Sequence, residues 1–161
     1  MKRVRVAVFL VVCSLAAMPG RTQSPAAPIR WSDVQLLDGR TLPAAALNGK
    51  VVVVQFWASW CPFCAKQNPH VQRLHERRVS DLQVLTFSID AKPDDAREYL
   101  NKRAYTFPAA MAGKQSAAWF PDRKGLPVVY VVDRSGRIVF HEAGELFEED
   151  IAALARFALK K

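Results

Sequence analysis

The run Val51-Val52-Val53-Val54-Gln55-Phe56-Trp57 constrains the fold of this chain more than any other stretch. Seven residues, nearly all β-branched or aromatic and without polar alternation, form the pattern of a strand covered on both faces. Such a strand belongs in the middle of a sheet with helices on either side. The turn signal Asn48-Gly49 introduces it, and a helical pattern runs from Pro62 to about Arg78 after it. Pro69 falls inside that helix and is expected to kink or locally break it. At the junction of strand and helix stands Cys61-Pro62-Phe63-Cys64.

The remaining elements follow from the same periodicities. Trp31 to Leu37, with Asp38-Gly39 behind it, predicts a short opening hairpin or irregular strand. Leu82 to Ile89 reads as a second strand, and Pro93 to Arg103 as a helix opened by proline and two aspartates. A short apolar stretch at Phe107–Met111 and a helical piece at Ser116–Phe120 come next. Val128 to Val132 is a strand, turned by Asp133-Arg134-Ser135-Gly136 into a partner over Arg137 to His141. Phe147 to Leu159 predicts one amphipathic helix with Ile151, Leu154, Ala155 and Ala158 on its buried face. The order predicts an α/β sandwich whose sheet is parallel at the helical crossovers and antiparallel at the final hairpin.

The amino terminus has a different character. Lys2, Arg3 and Arg5 precede an apolar run from Val6 to Ala17, too short for a comfortable membrane span, and Thr22 to Pro28 is small, polar and Pro-rich. Residues 1–20 therefore read as a signal peptide, with an uncleaved N-terminal anchor as the alternative; residues 21–30 read as a linker and 31–161 as the folded domain. Pro19 and Pro25 interrupt the obvious small-residue cleavage sites. The expected location is periplasmic or otherwise exported. Without the three basic residues of that segment, the net charge falls from +8 to +5, scattered and without an aromatic ladder, which argues against nucleic acid as a partner.

Of three cysteines, Cys13 lies in the apolar run and reads as an incidental apolar residue. Cys61 and Cys64 then form a lone Cys-x-x-Cys pair in an oxidising compartment. A bridge closing so small a loop is a poor structural staple, so reactive chemistry is the better reading. Pro62 suits the first helical position and makes Cys61 the N-cap, where its sulfur can accept from the amides of Phe63 and Cys64 and sits at the positive end of the helix. Both effects favour thiolate, making Cys61 the expected nucleophile and Cys64, one turn on, the resolving thiol. An inert disulfide is one alternative. Half a zinc site is another, but only His70, His75 or His141 is available to complete it, and His70 and His75 read as surface residues. No metal and no other cofactor is expected.

The stretch Phe56-Trp57-Ala58-Ser59-Trp60-Cys61-Pro62-Phe63-Cys64, within Gly49 to Gln67, resembles the active-site region of the thioredoxin superfamily. It is most similar to the exported TlpA/ResA-like branch, which includes the cytochrome c maturation reductases. Gly125-Leu126-Pro127 and the strand after it resemble that family's cis-proline strand and hairpin, and Asp90 to Met111 resembles the branch's extra helix and strand. The resemblance runs from Trp31 to the C-terminus. It implies a thioredoxin-like α/β fold: a mixed central sheet flanked by helices, with an extra N-terminal hairpin and a central helix–strand insertion. It also implies that Pro127 is the cis-proline facing the cysteine pair, that Leu126 touches substrate, and that Trp60 flanks the active-site surface. Trp57 would pack beneath, where core packing alone accounts for it equally well.

Two positions depart from the family. Gln55 stands where thioredoxins proper carry a buried aspartate, and Gln67 where the branch usually carries a glutamate. A glutamine cannot act as a general base, so Cys64 is expected to lose its proton to water or another group, and resolution to be slow. Alternatively, both are simply polar residues with satisfied hydrogen bonds. Pro62 and Phe63 add no charge and no side-chain donor between the cysteines, which favours a reductase over an oxidase or isomerase. Its partners would be exported proteins carrying disulfides or thiols. Electrons would come from a membrane donor, since no nicotinamide-binding motif is present. A copper-delivery chaperone would space its cysteines more widely, the peroxiredoxin signature is missing before Cys61, and a redox-inert binding module would not need Cys61.

Overall fold

The computed structural model describes residues 27–121 and 123–159, so the segment read as a signal peptide or anchor, Cys13 and residues 21–26 lie outside the described part. The strands are β1 (Val34–Gln35), β2 (Thr41–Leu42), β3 (Val51–Trp57), β4 (Leu82–Ser88), β5 (Ala109–Met111), β6 (Val128–Val132) and β7 (Ile138–Ala143). The helices are α1 (Pro62–Glu76), α2 (Pro93–Lys102), α3 (Lys114–Trp119), α4 (Glu148–Ala153) and α5 (Arg156–Leu159).

β3 is the centre of a five-stranded sheet ordered β5-β4-β3-β6-β7, and all seven of its residues are buried. It pairs with β4 in parallel through the α1 crossover, and with β6 antiparallel; β5 extends the parallel side and β7 the antiparallel side. This is a thioredoxin-like α/β fold. β1 and β2 form the N-terminal hairpin, which joins the sheet where the Leu37 amide donates to the Ala109 carbonyl at 2.7 Å. α2 and β5 form the central insertion.

The two-residue period of β3 and β6 sorts their side chains onto two cores. Val51, Val53, Trp57, Val129 and Val131 face the layer that holds α1, α2 and the C-terminal helices. Val52, Val54, Phe56, Val128 and Tyr130 face Trp31, Leu47 and Phe120 on the other side. Each fully buried Val or Phe stabilises the fold by about 1.5–3 kcal/mol relative to exposure, so the doubly covered strand is the mechanical base of the site at its end. Gln55 shares the period of Val53 and Trp57 and so points to the α1 side.

Two expectations need correction, and a third takes a definite form. The C-terminal segment is not one helix: amides of Leu154, Ala155, Phe157 and Ala158 bond to carbonyls three residues back, tightening the chain between α4 and α5. The tightening still buries Ile151, Leu154, Ala155 and Ala158, the face the sequence marks. The expected interruption at Pro69 is local: the proline lacks the amide that would reach Ala65, and α1 continues to Glu76. His70 and His75 are half-buried rather than on the surface.

Candidate active site

β3 ends at Trp57, and the chain turns over Ala58-Ser59-Trp60 into α1. Asp90 holds this turn in place. Its carboxylate accepts from the Ser59 amide at 3.0 Å, from Ser59 Oγ at 2.7 Å and from Ser88 Oγ at 2.6 Å. Because Ser88 ends β4, these bonds tie the turn to the neighbouring strand. Asp90 is 6% exposed, so the interaction is desolvated and hard to replace.

Cys61 is the N-cap of α1, with extended backbone, and Pro62 fills the first helical position. The Cys64 amide donates to Cys61 Sγ at 3.1 Å, so of the two amides expected to reach this sulfur only that of Cys64 does. The two cysteines are joined in a disulfide with Cα atoms 5.2 Å apart. Their surroundings differ. Cys61 is only 4% exposed but lines an open cleft of about 610 Å³, whereas Cys64 is completely buried and does not line it. Trp60, Pro62, Phe63 and Leu126 line the same cleft, so the structure brings these sequence-marked residues together. Trp60 is 66% exposed and Phe63 52%, a large apolar surface directly beside a sulfur. The Leu126–Pro127 peptide is cis; Pro127 is buried and starts the chain into β6, its carbonyl accepting from the Gly144 amide at 2.9 Å. Pro127 does not itself line the cleft.

Gln55 and Gln67 lie together in the core, away from the cleft. Gln67 Nε2 donates to Gln55 Oε1 at 2.7 Å, and Gln55 Nε2 donates to Asn68 Oδ1 at 2.6 Å. Asn68 Nδ2 reaches the Tyr99 hydroxyl at 3.2 Å, and Gln67 Oε1 accepts from the Leu146 amide at 2.6 Å. Both glutamines are fully buried and satisfied. Cys64, Gln67, Asn68 and Val71 share the buried face of α1 at helical spacing, which sets this amide chain one turn beyond the second cysteine. Trp57 is a core residue whose Nε1 donates to Thr86 Oγ1 at 3.1 Å.

Sequence reasoning missed Asp90, Asn68, Ile89 and Arg123. Ile89 and Arg123 line the cleft, and Ile89 is 40% exposed. Ile89 reads in the sequence as the last residue of the strand that in fact ends at Ser88, and the others take their roles from partners distant in sequence. Among the described residues, no cluster of three or more His, Cys, Asp or Glu side chains could hold a metal ion. His70 faces Arg73 and Glu148, and His141 stacks on Tyr130 with ring centroids 4.4 Å apart.

A dithiol–disulfide pair at the mouth of a helix, on this fold, defines a thiol–disulfide oxidoreductase. Comparisons with known proteins agree. The family model described as Redoxin matches residues 23–155. Thiol-disulfide oxidoreductase ResA of Bacillus thuringiensis (strain Al Hakam) is 24% identical over 116 residues, 71% of this chain and 67% of ResA. Thiol:disulfide interchange protein HelX of Rhodobacter capsulatus is 33% identical over 107 residues, 65% of this chain and 58% of HelX. A thioredoxin-family thiol:disulfide interchange protein from Chlorobium tepidum TLS superposes with a TM-score of 0.72 at 21% identity, covering 85% of this chain and all of that one. A secreted disulfide oxidoreductase of Mycobacterium tuberculosis superposes with a TM-score of 0.64 at 18% identity, covering 77% of this chain and 93% of that one. The chain belongs to the Redoxin family, among ResA-like and HelX-like thiol–disulfide oxidoreductases.

Proposed function

We propose that the protein reduces disulfides in exported proteins, with Cys61 as nucleophile and Cys64 as resolving thiol. The observation that carries this reading is the asymmetry of the pair: Cys61, although only 4% exposed, lines the cleft, while Cys64 is fully buried on the same helix and does not line it. In the reduced protein the Cys61 thiolate attacks one sulfur of a substrate disulfide. The substrate S–S bond breaks, a mixed disulfide forms, and the first substrate thiolate leaves and takes a proton. Cys64 then loses its proton and attacks Cys61 Sγ, releasing the second substrate thiol. Two electrons pass from the pair to the substrate, and the protons of the two thiols end on the products. Neutral amides at Gln55 and Gln67 cannot take the Cys64 proton; water or another group takes it, and resolution is slow for that reason.

The direction follows from how little holds the Cys61 thiolate. A strong oxidant needs that thiolate heavily stabilised. Here the sulfur has the helix end and the Cys64 amide, and Pro62 and Phe63 add no side-chain donor. Regeneration needs a dithiol donor at the membrane. Export is supported by the basic and apolar amino-terminal sequence and by the secreted Mycobacterium relative. Resemblance to the branch that includes the cytochrome c maturation reductases supports apocytochrome c disulfides among the substrates. Incubating Cys64→Ser protein with disulfide-bearing exported proteins should trap mixed disulfides through Cys61, and Cys61→Ser protein should trap none. Trapping through Cys64 instead, or by neither variant, would overturn the assignment.

A further inference from the structure

We propose that Arg123 is a specificity determinant that makes the cleft favour disulfides with an Asp or Glu side chain close to the reacting cysteine. This rests on the reading that substrates dock in the cleft beside Cys61. Apart from the sulfur, the cleft is built from aromatic, aliphatic and proline side chains and the Gly125 backbone, and Arg123 is the one charged residue among the described residues that line it. Its guanidinium carbon lies 4.5 Å from the centroid of the Phe56 ring. Phe56 belongs to β3 and is 1% exposed, so the ring is a fixed platform rather than a mobile neighbour. A guanidinium lying on an aromatic face keeps its N–H groups at the edge, pointing outward in its own plane, where they match a carboxylate in bidentate fashion.

Among the described residues that line the cleft, no other charged side chain competes for that role. Arg123 takes part in no ion pair or hydrogen bond there. Asp90, the acidic group beside cleft residue Ile89, spends its carboxylate on Ser59 and Ser88. Lys66, which approaches the Phe63 ring at 5.6 Å, already pairs with Glu145 at 3.7 Å. A half-buried cation without an ion-pair partner among the described residues, set against apolar walls, has lost part of its hydration, and a carboxylate from the docked chain restores what water cannot. The occupant this chemistry selects is an extended polypeptide with an apolar residue for the Trp60–Phe63 surface and an acidic residue for Arg123.

The test is the second-order rate constant for oxidation of the reduced full chain by three peptides. These carry the same disulfide flanked by Asp, Asn or Lys, and each is run at low and at high salt. The Asp peptide should react about tenfold faster than the Lys peptide, the scale of a hydrogen-bonded charge pair, with the gap shrinking in salt. Arg123→Glu should reverse the order, and Arg123→Lys should keep part of it. A purely structural role for Arg123 would change all three rates together. Equal rates for the three peptides in the wild type, or an unchanged order in Arg123→Glu, would overturn the proposal alone. No reaction with any peptide would overturn the docking and oxidoreductase readings with it.

Discussion

Gln67 Nε2 donates to Gln55 Oε1 at 2.7 Å in the interior, joining α1 to β3 through two uncharged side chains. The pair is closed at both ends, by Asn68 on Gln55 and by the Leu146 amide on Gln67. Gln67→Ala leaves Gln55 and the Leu146 amide short of partners and should lower stability by about 1–3 kcal/mol in urea unfolding. Gln67→Glu is the sharper probe. It places a titrating group one turn from Cys64, so the rate of mixed-disulfide resolution should gain an inflection with pH that the wild type lacks. An identical pH profile for the two proteins would mean that this position does not act on the pair.

Asp90 should matter for shape and rate together. Asp90→Ala removes a buried acceptor from Ser59 and Ser88, at a cost of about 1.5–3 kcal/mol for charged hydrogen bonds, and frees the turn that aims Cys61. Unfolding midpoints should fall and reaction of the reduced chain with a neutral disulfide should slow. Asp90→Asn keeps some of the acceptor capacity and should lie between the two.

The parts of this molecule that follow from local pattern were legible in the sequence. β3 announces itself as seven residues without polar alternation, and Cys61 as a cap followed by proline. Leu126-Pro127 was legible only through resemblance, because nothing in an isolated Leu-Pro step favours cis. Asp90 reads locally as the polar end of a strand, and its grip on Ser59 spans thirty-one positions. Asn68 looks like an ordinary helix residue until Gln55 is set opposite it across the core. The break between α4 and α5 was hidden for a related reason: the apolar spacing at Ile151, Leu154, Ala155 and Ala158 serves a tightened chain as well as a regular helix.

Gly136 is the position where backbone geometry leaves least choice. It sits at φ +84°, and an added Cβ would stand 2.6 Å from the Ile29 carbonyl oxygen and 3.3 Å from its nitrogen. The same residue receives the Ile29 amide at 2.7 Å, so the β6–β7 turn and the entering chain are held together there. Gly136→Ala should cost about 1–3 kcal/mol from the left-handed backbone, plus the displacement of Ile29, seen as a lower thermal midpoint. A midpoint equal to the wild type would contradict the close approach.

His75 gives the fold a modest pH dependence. Burial first, then the Arg78 charge, hold its imidazole below the usual histidine range, with Glu76 pulling the other way and Arg40 adding to the lowering. The unfolded chain therefore takes up a proton at higher pH than the folded one, and stability rises with pH while that difference lasts. The contribution is complete above about pH 6.5 and is lost as pH falls below it. Urea midpoints at pH 5.5 and 7.5 should differ less in His75→Gln than in the wild type; an unchanged difference would assign the effect elsewhere.

The central claim is that Cys61 and Cys64 form a reducing pair, and the reduction potential of the full chain tests it most directly. Equilibration against defined thiol buffers, read by alkylation, should give a value at or below about −230 mV, towards the thioredoxin end of the scale. A value of about −120 to −180 mV would contradict the account and make the protein an oxidase or isomerase.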